Sequence, residues 1–458
     1  MKLFTIKSEE LAHNSYFLTD GEEAAVVDPR RDCQVYTRLA QRECVRIRYI
    51  FETHRNEDYV VGSTELRNVT EAEVCHSKEL PFKYGEHSLS DGETLTLDAL
   101  KIKAVYTPGH TDESLCYIVY MPAKSADAVM AFTGDTLFVG SVGRTDLQGE
   151  KAQPKQAEKL YTGICEKLLP LGDQVLVYPA HGAGSVCGND ISDQGFSTLG
   201  YEKKTNPYLK LSREAFIERA LAQEFLVPPY FRKMEEYNLN GAPLLHGLPE
   251  PKPLSVSEFE AESHELDTEV VDTRLPYAFA GSHIPGSLSL WLGGTAVYPG
   301  WLLNYDQRVL FVLERPSDIV RVSAHFWRLG FDNIYGFLCK GMSEWQEQGK
   351  PISRLGVLSA SELKEKLDLK RAVVLDVREP HEWSEDGWIE GAERVFFGHL
   401  PQRLEGMERN RRYAVTCSVG NRGSIAASLL KRKNFVEVYN VLGGMTAWRN
   451  LGYPVTKE

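Results

Sequence analysis

The sequence predicts an α/β protein of about three domains. Its 458 residues correspond to about three domains at roughly 150 residues each. Short β-rich runs alternate with turns as far as about residue 240. The rest of the chain contains two similar segments about a hundred residues apart. In each segment β-rich runs alternate with helical patterns, which is typical of a parallel sheet flanked by helices.

Composition and charge exclude several functional classes. Hydrophobic residues make up 42% and charged residues 25%, which are ordinary proportions for a folded chain. The formal net charge of -12 comes without long runs of one sign, so we expect no nucleic-acid partner. No run approaches the roughly 18 to 20 apolar residues of a membrane helix, and no signal peptide is visible. We therefore expect a cytoplasmic protein without a membrane partner.

Four β-rich runs of the N-terminal region end in a polar cluster. These clusters are Thr53-His54, Thr107 to His110, Gly134-Asp135 and Ala180-His181. Layered α/β folds place their chemistry at strand ends. The recurrence is therefore a stronger sign of a site than any single histidine.

A proline-rich stretch follows this region. The sequence GAPLLHGLPEPKPLSVS, residues 241–257, lacks periodicity and is typical of a linker. We therefore predict one domain over 1–240, a linker over 241–257, and two repeated domains over 258–352 and 353–458.

The two repeated domains share their motifs in the same order. Val270 to Arg274 corresponds to Val374 to Arg378, and Gly341 to Trp345 corresponds to Gly444 to Trp448. The spacing hardly drifts between these pairs, so two copies of one domain are the simplest explanation.

One of the eight cysteines has unusual surroundings. The others are scattered without a C-x-x-C pair, which disfavours a disulfide framework or a zinc ribbon. Cys417 instead stands between a β-run and a helical pattern, in a loop with two glycines. Backbone N–H groups and the helix N-terminus would converge on it, so we expect a reactive thiolate. Arg422 adds a planar donor for an oxyanion, and the alternative is a structural cysteine in a glycine turn.

The C-x4-R spacing of this loop is one residue shorter than the C-x5-R loop of cysteine phosphatases, which favours a sulfur-centred group. Cys417, Gly420 and Arg422 resemble the C-x-x-G-x-R loop of the rhodanese sulfurtransferases. The resemblance implies that Cys417 carries sulfane sulfur as a persulfide. In the middle copy Glu314 and Ile319 stand at the positions of the cysteine and the arginine. That copy therefore resembles an inactive rhodanese, a spacer or docking module.

The polar clusters of the first domain resemble the metal motifs of the metallo-β-lactamase superfamily. Thr53 to Tyr59 occupies the place of T-H-x-H-x-D-H, and the three later clusters follow in the family's order. The resemblance implies an αββα sandwich, followed here by the two rhodanese-like α/β domains with parallel sheets. Asn56 and Tyr59 replace two of the motif's histidines.

The loss of two ligands disfavours a dinuclear hydrolase. His54, His110 and Asp135 remain, which is the composition of the facial triad that holds Fe(II). Persulfide dioxygenases of this superfamily use that triad, so the resemblance implies one Fe(II) per chain, with zinc as the alternative. Asp58 and His181 are expected to support the ligands from outside the coordination sphere.

The segment Gly143 to Asp146 reads G-R-T-D and resembles a segment of the persulfide dioxygenases. The resemblance implies that Arg144 anchors the carboxylate of a thiol substrate; a solvated surface arginine is the alternative. His181 to Gly188 resembles bacterial fusions of this domain with rhodanese units.

These observations favour a persulfide dioxygenase joined to a sulfurtransferase. It would oxidise a low-molecular-weight persulfide, such as glutathione persulfide, to sulfite and pass sulfane sulfur through Cys417, with thiol, sulfite or thiosulfate as further small-molecule partners. One alternative is a glyoxalase II-like thioester hydrolase fused to rhodanese. Another is a sulfurtransferase or sulfur carrier with a metal-free first domain. The thiol carrier, the direction of sulfur transfer and a homo-oligomeric state stay open.

Overall fold

The computed structural model describes residues 1–457 and divides into two compact units. The first comprises Met1–Pro249 with Trp327–Gly330, and the second comprises Glu250–Phe326 with Phe331–Glu458. Among the described residues, no helix has both the length and the apolar character that crossing a bilayer requires.

The first unit contains two six-stranded sheets. In chain order the first sheet consists of β1 (Lys2–Ser8), β2 (His13–Thr19), β3 (Glu23–Val27), β4 (Arg46–Phe51), β5 (Glu73–Ser77) and β6 (His87–Leu89). The second has the order β12-β11-β10-β9-β8-β7, with β7 (Thr94–Leu97), β8 (Leu100–Tyr106), β9 (Leu115–Tyr120), β10 (Ala128–Gly134), β11 (Leu176–Pro179) and β12 (Ser197–Thr198). Tyr16, Phe51, Tyr117 and Phe132 from both sheets share one core.

Helices cover the outer face of each sheet. They are α1 (Gln34–Glu43), α2 (Ser63–Thr70), α3 (Gln153–Thr162), α4 (Leu199–Thr205), α5 (Arg213–Leu221) and α6 (Phe231–Asn240). Tyr36 of α1 and Leu66 of α2 join a core with Phe17 of the first sheet. Leu160 of α3 and Phe216 of α5 join a core with strands of the second sheet. The predicted αββα sandwich is confirmed.

The second unit contains two five-stranded parallel sheets of equal strand order. The first, β13-β17-β16-β14-β15, consists of β13 (Lys252–Leu254), β14 (Thr268–Asp272), β15 (Leu288–Ser289), β16 (Arg308–Val312) and β17 (Ile334–Leu338). The second, β18-β22-β21-β19-β20, consists of β18 (Gly356–Leu358), β19 (Val373–Asp376), β20 (Glu393–Arg394), β21 (Arg412–Thr416) and β22 (Glu437–Val441). The two predicted rhodanese-like folds are confirmed.

Equivalent helices accompany each sheet. The first copy has α7 (Val256–Ser263), α8 (Pro276–Gly281), α9 (Pro299–Leu302), α10 (Asp318–Arg328) and α11 (Gly341–Glu347). The second has α12 (Ala360–Asp368), α13 (Pro380–Asp386), α14 (Leu400–Arg403), α15 (Asn421–Arg432) and α16 (Gly444–Asn450). Ser255 and Ser359 begin α7 and α12 with the same capping box, which satisfies free N–H groups of the first turn. Residues 252–257 of the predicted linker thus form β13 and the start of α7.

Candidate functional site

The polar clusters of the first unit meet at the ends of its strands. His54 follows β4 and His110 follows β8, whereas Asp135 and His181 follow β10 and β11. All four side chains are at most 3% exposed. The structure therefore brings the predicted triad of His54, His110 and Asp135 together and places His181 beside it.

The two triad histidines present Nε2 to Asp135. The distances from Asp135 Oδ2 are 3.7 Å to His54 Nε2 and 3.4 Å to His110 Nε2. Neither Nε2 atom has a hydrogen-bond partner among the described residues. Buried polar atoms without a partner are rare, and metal-ligating histidines face their ion in this way.

The opposite nitrogen of each ring is fixed by a hydrogen bond. His110 Nδ1 donates to the backbone oxygen of Arg144 at 3.0 Å. The hydroxyl of Thr53 donates to Asp28, so it accepts from His54 Nδ1 at 2.9 Å. Because Nδ1 carries the proton in each neutral ring, the lone pair on Nε2 faces the centre.

Asp135 lies between the triad and His181. His181 Nδ1 donates to Asp135 Oδ1 at 2.7 Å, and its Nε2 lies 3.0 Å from Asp58 Oδ2. Burial alone would lower the pKa of His181, but the two carboxylates outweigh burial and raise it well above its usual value. Burial alone would raise the pKa of Asp135, but His181, His54 and His110 hold it well below its usual range. His181 thus bridges Asp135 and Asp58, and the supporting role of Asp58 and His181 stays a prediction.

Glu57 is a site residue that the sequence motif did not single out. Its Oε1 lies 3.0 Å from His110 Nε2, and the ligand atoms of His54, Glu57 and His110 all lie within 4.8 Å of one another. The adjacent Asn56, which replaces a motif histidine, donates from Nδ2 to the backbone oxygen of His54. An acidic residue next to a lost ligand was the available signal.

Tyr59 replaces the other lost histidine. Its side chain is fully buried, and its ring packs against His13 with centroids 4.1 Å apart. Burial and the carboxylates of Asp28 and Asp58 raise the pKa of the Tyr59 phenol well above its usual value. Tyr59 therefore stays neutral and is a poor metal ligand.

Cys187 also lies at the centre. Its ligand atom lies within 4.8 Å of those of Asp58 and His181, and in a second group within 4.8 Å of those of His110 and Asp135. Burial, then Asp58 and Asp135, raise the pKa of this thiol well above its usual value. The sequence pattern did not identify Cys187, because this residue matches no metal-ligand motif. Only the folded chain places it at the centre.

The donor set suits a single divalent cation. Two imidazole lone pairs and the carboxylates of Asp135 and Glu57 converge in a water-excluded place, and imidazole with carboxylate binds first-row metals such as iron and zinc. His54, His110 and Asp135 would hold the ion that the fold implies.

Arg144 is buried beside the centre. Its guanidinium makes a bidentate pair with Asp146 at 2.7 Å on each side and donates to the backbone oxygens of Val186 and Leu226. The ring of Phe225 lies 4.4 Å from it. Arg144 is therefore not a solvated arginine, and a substrate carboxylate would reach it only by displacing these partners.

Cys417 lies at the end of β21, directly before α15. Its Sγ accepts a hydrogen bond from Gly420 N at 3.1 Å, and the side chain is buried. Gly420 has a φ of +104°, which a residue with a Cβ rarely adopts. One backbone N–H and the N-terminus of α15 thus lie beside the sulfur, and the binding of an anion by this loop stays a prediction.

Arg422 is engaged within this loop. Its guanidinium donates to both carboxylate oxygens of Glu382, at 2.6 and 2.8 Å, and to Ser418 Oγ. Burial alone would raise the pKa of Glu382, but Arg422 and Ser418 outweigh burial and lower it to about 2. Arg422 thus holds the loop through α13, and its service as a direct oxyanion donor stays a prediction. In the first copy Glu314, at the place of the cysteine, is exposed.

Comparisons with known proteins agree with this layout. Residues 9–181 match the Metallo-beta-lactamase superfamily, and residues 255–348 and 359–451 match the Rhodanese-like domain. Persulfide dioxygenase ETHE1, mitochondrial, of Bos taurus is 30% identical over 211 residues, 44% of this chain and 74% of that protein. Hydroxyacylglutathione hydrolase GloC of Haemophilus influenzae is 27% identical over 212 residues, 42% of this chain and 89% of that protein.

A solved structure matches more than the first unit. The metallo-beta-lactamase from Staphylococcus aureus subsp. aureus COL is 27% identical, with a TM-score of 0.66 over 74% of this chain and 98% of its own.

The contact between α16 and the Cys417 loop gives a prediction about stability. A Cβ at Gly444 would lie 2.1 Å from the backbone oxygen of Cys417, and Gly444 has a φ of +48°. We expect Gly444→Ala to destabilise the domain by about 1–3 kcal/mol, measured by urea unfolding. The control is Gly406→Ala, where a Cβ meets nothing within 4 Å. Equal stability of the two variants would contradict the packing described here.

The Glu382–Arg422 pair gives a prediction about pH. Because the pKa of Glu382 is lowered to about 2 in the folded protein, its stabilising effect is present above the usual glutamate pKa of about 4.3. That effect is lost as the pH falls from there toward 2. We expect the protection factors of the loop amides, which correct the exchange rate for its intrinsic value at each pH, to fall over this range, and Glu382→Gln to remove most of that pH dependence. If Glu382→Gln keeps the same pH dependence of protection in the loop as the wild type, other carboxylates control the loop.

Proposed function

Because the chain belongs to the metallo-beta-lactamase superfamily and carries two rhodanese-like domains, we propose that it is a persulfide dioxygenase and sulfurtransferase. In this proposal it oxidises a low-molecular-weight thiol persulfide, such as glutathione persulfide, to sulfite in the first unit. It then carries sulfane sulfur on Cys417. The overall oxidation balances as RSSH + O2 + H2O giving RSH, SO3²⁻ and two protons.

The arrangement of His54, His110 and Asp135 is the observation that carries the proposal. Fixed Nδ1–H donors leave two imidazole lone pairs facing one carboxylate, which is the donor set of a mononuclear Fe(II) site. When bound there, Fe(II) supplies the means to bring oxygen and the persulfide sulfur into reaction. Asn56 and Tyr59 remove ligands that a dinuclear thioester hydrolase would need, so the hydrolase is less well supported.

The residues around the triad support the reaction by holding charge. His181 holds a proton between Asp135 and Asp58, so Asp135 stays ionised and oriented. The burial of the whole cluster excludes bulk water, which strengthens each of these electrostatic interactions.

The Cys417 loop supports sulfur transfer by stabilising a sulfur anion. In the proposed step, Cys417 thiolate attacks the outer sulfur of a persulfide, forming the cysteine persulfide and releasing the carrier thiolate. Sulfite then attacks that outer sulfur, giving thiosulfate and regenerating the Cys417 thiolate. The Gly420 N–H and the start of α15 would stabilise negative charge on the Cys417 thiolate and on the Cys417 persulfide.

The cellular setting belongs to the same proposal. The eight cysteines are all free in the structure, which suits a reducing compartment such as the cytoplasm. Small persulfides, thiols, sulfite and thiosulfate are the proposed partners, and neither nucleic acid nor a membrane takes part.

Oxygen uptake tests the metal centre. With Fe(II)-loaded protein and glutathione persulfide, we expect uptake that falls by more than about 100-fold in His110→Ala, because a ligand is lost. His264→Ala, in the second unit, serves as control and should keep full activity. Absence of uptake by the wild type would refute the dioxygenase, and full uptake by His110→Ala would refute the metal assignment.

Thiocyanate formation from thiosulfate and cyanide tests the cysteine. We expect Cys417→Ser to abolish it, because serine forms no persulfide, and to leave oxygen uptake by the first unit largely intact. Cys339→Ser, in the copy without a catalytic thiol, is the matched control. Retained thiocyanate formation in Cys417→Ser would place the sulfur carrier elsewhere.

A further inference from the structure

Glu57 is held in place by the loop that carries it. Asn238 of α6 donates from Nδ2 to the backbone oxygens of Asn56 and Tyr59, at 2.6 and 2.7 Å. Its Oδ1 accepts from Val61 N at 3.0 Å. These three hydrogen bonds fix the backbone on both sides of Glu57 and are themselves buried. The direction of the Glu57 carboxylate is therefore set by the fold.

The Glu57 carboxylate faces the metal centre, where its Oε1 also accepts from the Cys187 thiol at 3.8 Å. Glu57 is 1% exposed, and its Oε1 lies 3.0 Å from His110 Nε2. Nevertheless His110 Nε2 has no partner with hydrogen-bond geometry, and Glu57 Oε2 has no partner either, among the described residues. A proton on Nε2 could therefore serve Glu57 only as an ion pair, as His181 Nε2 does with Asp58 at the same distance. A cation between the nitrogen and the carboxylate fits the same geometry, because it tolerates a wider range of directions.

Charge also requires a cation here. A buried carboxylate is costly unless a positive charge compensates it. The His181 proton already serves Asp135 and Asp58, and the guanidinium of Arg144 is paired with Asp146. With His54 and His110 as neutral ligands, Asp58, Asp135 and Glu57 carry three negative charges against the one positive charge of His181, and a divalent ion would neutralise the remaining two.

From this geometry we propose that Glu57 is a fourth protein ligand of the metal ion. The centre would then be held by two histidines and two carboxylates. A fourth protein ligand would leave fewer positions for oxygen and substrate than the triad alone. The proposal deepens the proposed dioxygenase and rests on its metal.

Metal binding measured without turnover tests this proposal. Apo protein is titrated with cobalt(II) against a competing chelator, and the visible absorption spectrum reports the coordination. For Glu57→Gln we expect binding weakened by about 10- to 100-fold and an altered spectrum.

The matched control is Glu52→Gln, another buried carboxyl of the same unit. Burial raises the pKa of Glu52 to about 8, and its side chain accepts from Tyr84. Because this side chain is engaged by Tyr84 and belongs to none of the described groups that could hold a metal ion, glutamine should leave both cobalt affinity and spectrum unchanged.

The stabilisation that cobalt gives separates a ligand from an ion-pair partner. If Glu57 serves the metal, Glu57→Gln reduces the rise in melting temperature that cobalt produces in the wild type. If Glu57 only pairs with protonated His110, Glu57→Gln lowers the melting temperature of the apo protein but keeps the same cobalt-induced rise, which would overturn the proposal. Unchanged cobalt binding by a folded Glu57→Gln would also overturn it and leave the dioxygenase standing. A wild type that binds no cobalt would refute both.

Discussion

The carboxylate of Asp135 is the interaction on which the first unit's site depends. Three imidazoles approach it, from the ends of β4, β8 and β11, and none of the four groups reaches solvent. Such an arrangement is unstable if the charges do not balance, because burial penalises each ionised group. The two sheets therefore do more than bring ligands together. They enforce a desolvated cluster whose charge is completed only by protons or a cation.

The two candidate centres stabilise anions in different ways. In the first unit, the site is built mainly from ionisable side chains that lie within a few ångströms of one another. At Cys417 the backbone supplies the stabilisation, because the Gly420 N–H lies 3.1 Å from the sulfur and α15 begins beside it. The guanidinium of Arg422 is instead paired with Glu382. Backbone N–H groups are neutral and can bind sulfur anions of different charge. This property suits a thiol that alternates between free and sulfur-loaded forms.

Sequence patterns predicted what depends on local order and repetition. The strand-end clusters, the two-copy architecture and the Cys417 loop all follow from residues close together in the chain. The sequence did not identify Glu57, because its position in the motif has no fixed residue type. The direction of its carboxylate is visible only in the folded chain, where Asn238 fixes the loop. Arg422 and Arg144 show the same limit: each is recognisable as a motif arginine, but their carboxylate partners Glu382 and Asp146 decide which donors remain available. Those partners could be assigned only from the folded chain.

The middle copy shows how a domain without the thiol can still shape the thiol site. Ser289 of its β15 contacts Ser424 of α15, with hydroxyl oxygens 2.7 Å apart, so the helix that follows the Cys417 loop is supported from outside its own sheet. Tyr298 packs edge-on against Phe397, with centroids 4.7 Å apart, and Trp301 packs in the same way against Phe396. After burial, the charges of Arg422 and Cys417 are among the influences on the pKa of Tyr298, which rises to about 12. This phenol therefore stays neutral at neutral pH. The middle copy has Glu314 at the position of the cysteine, yet its side chains pack against the copy that carries Cys417.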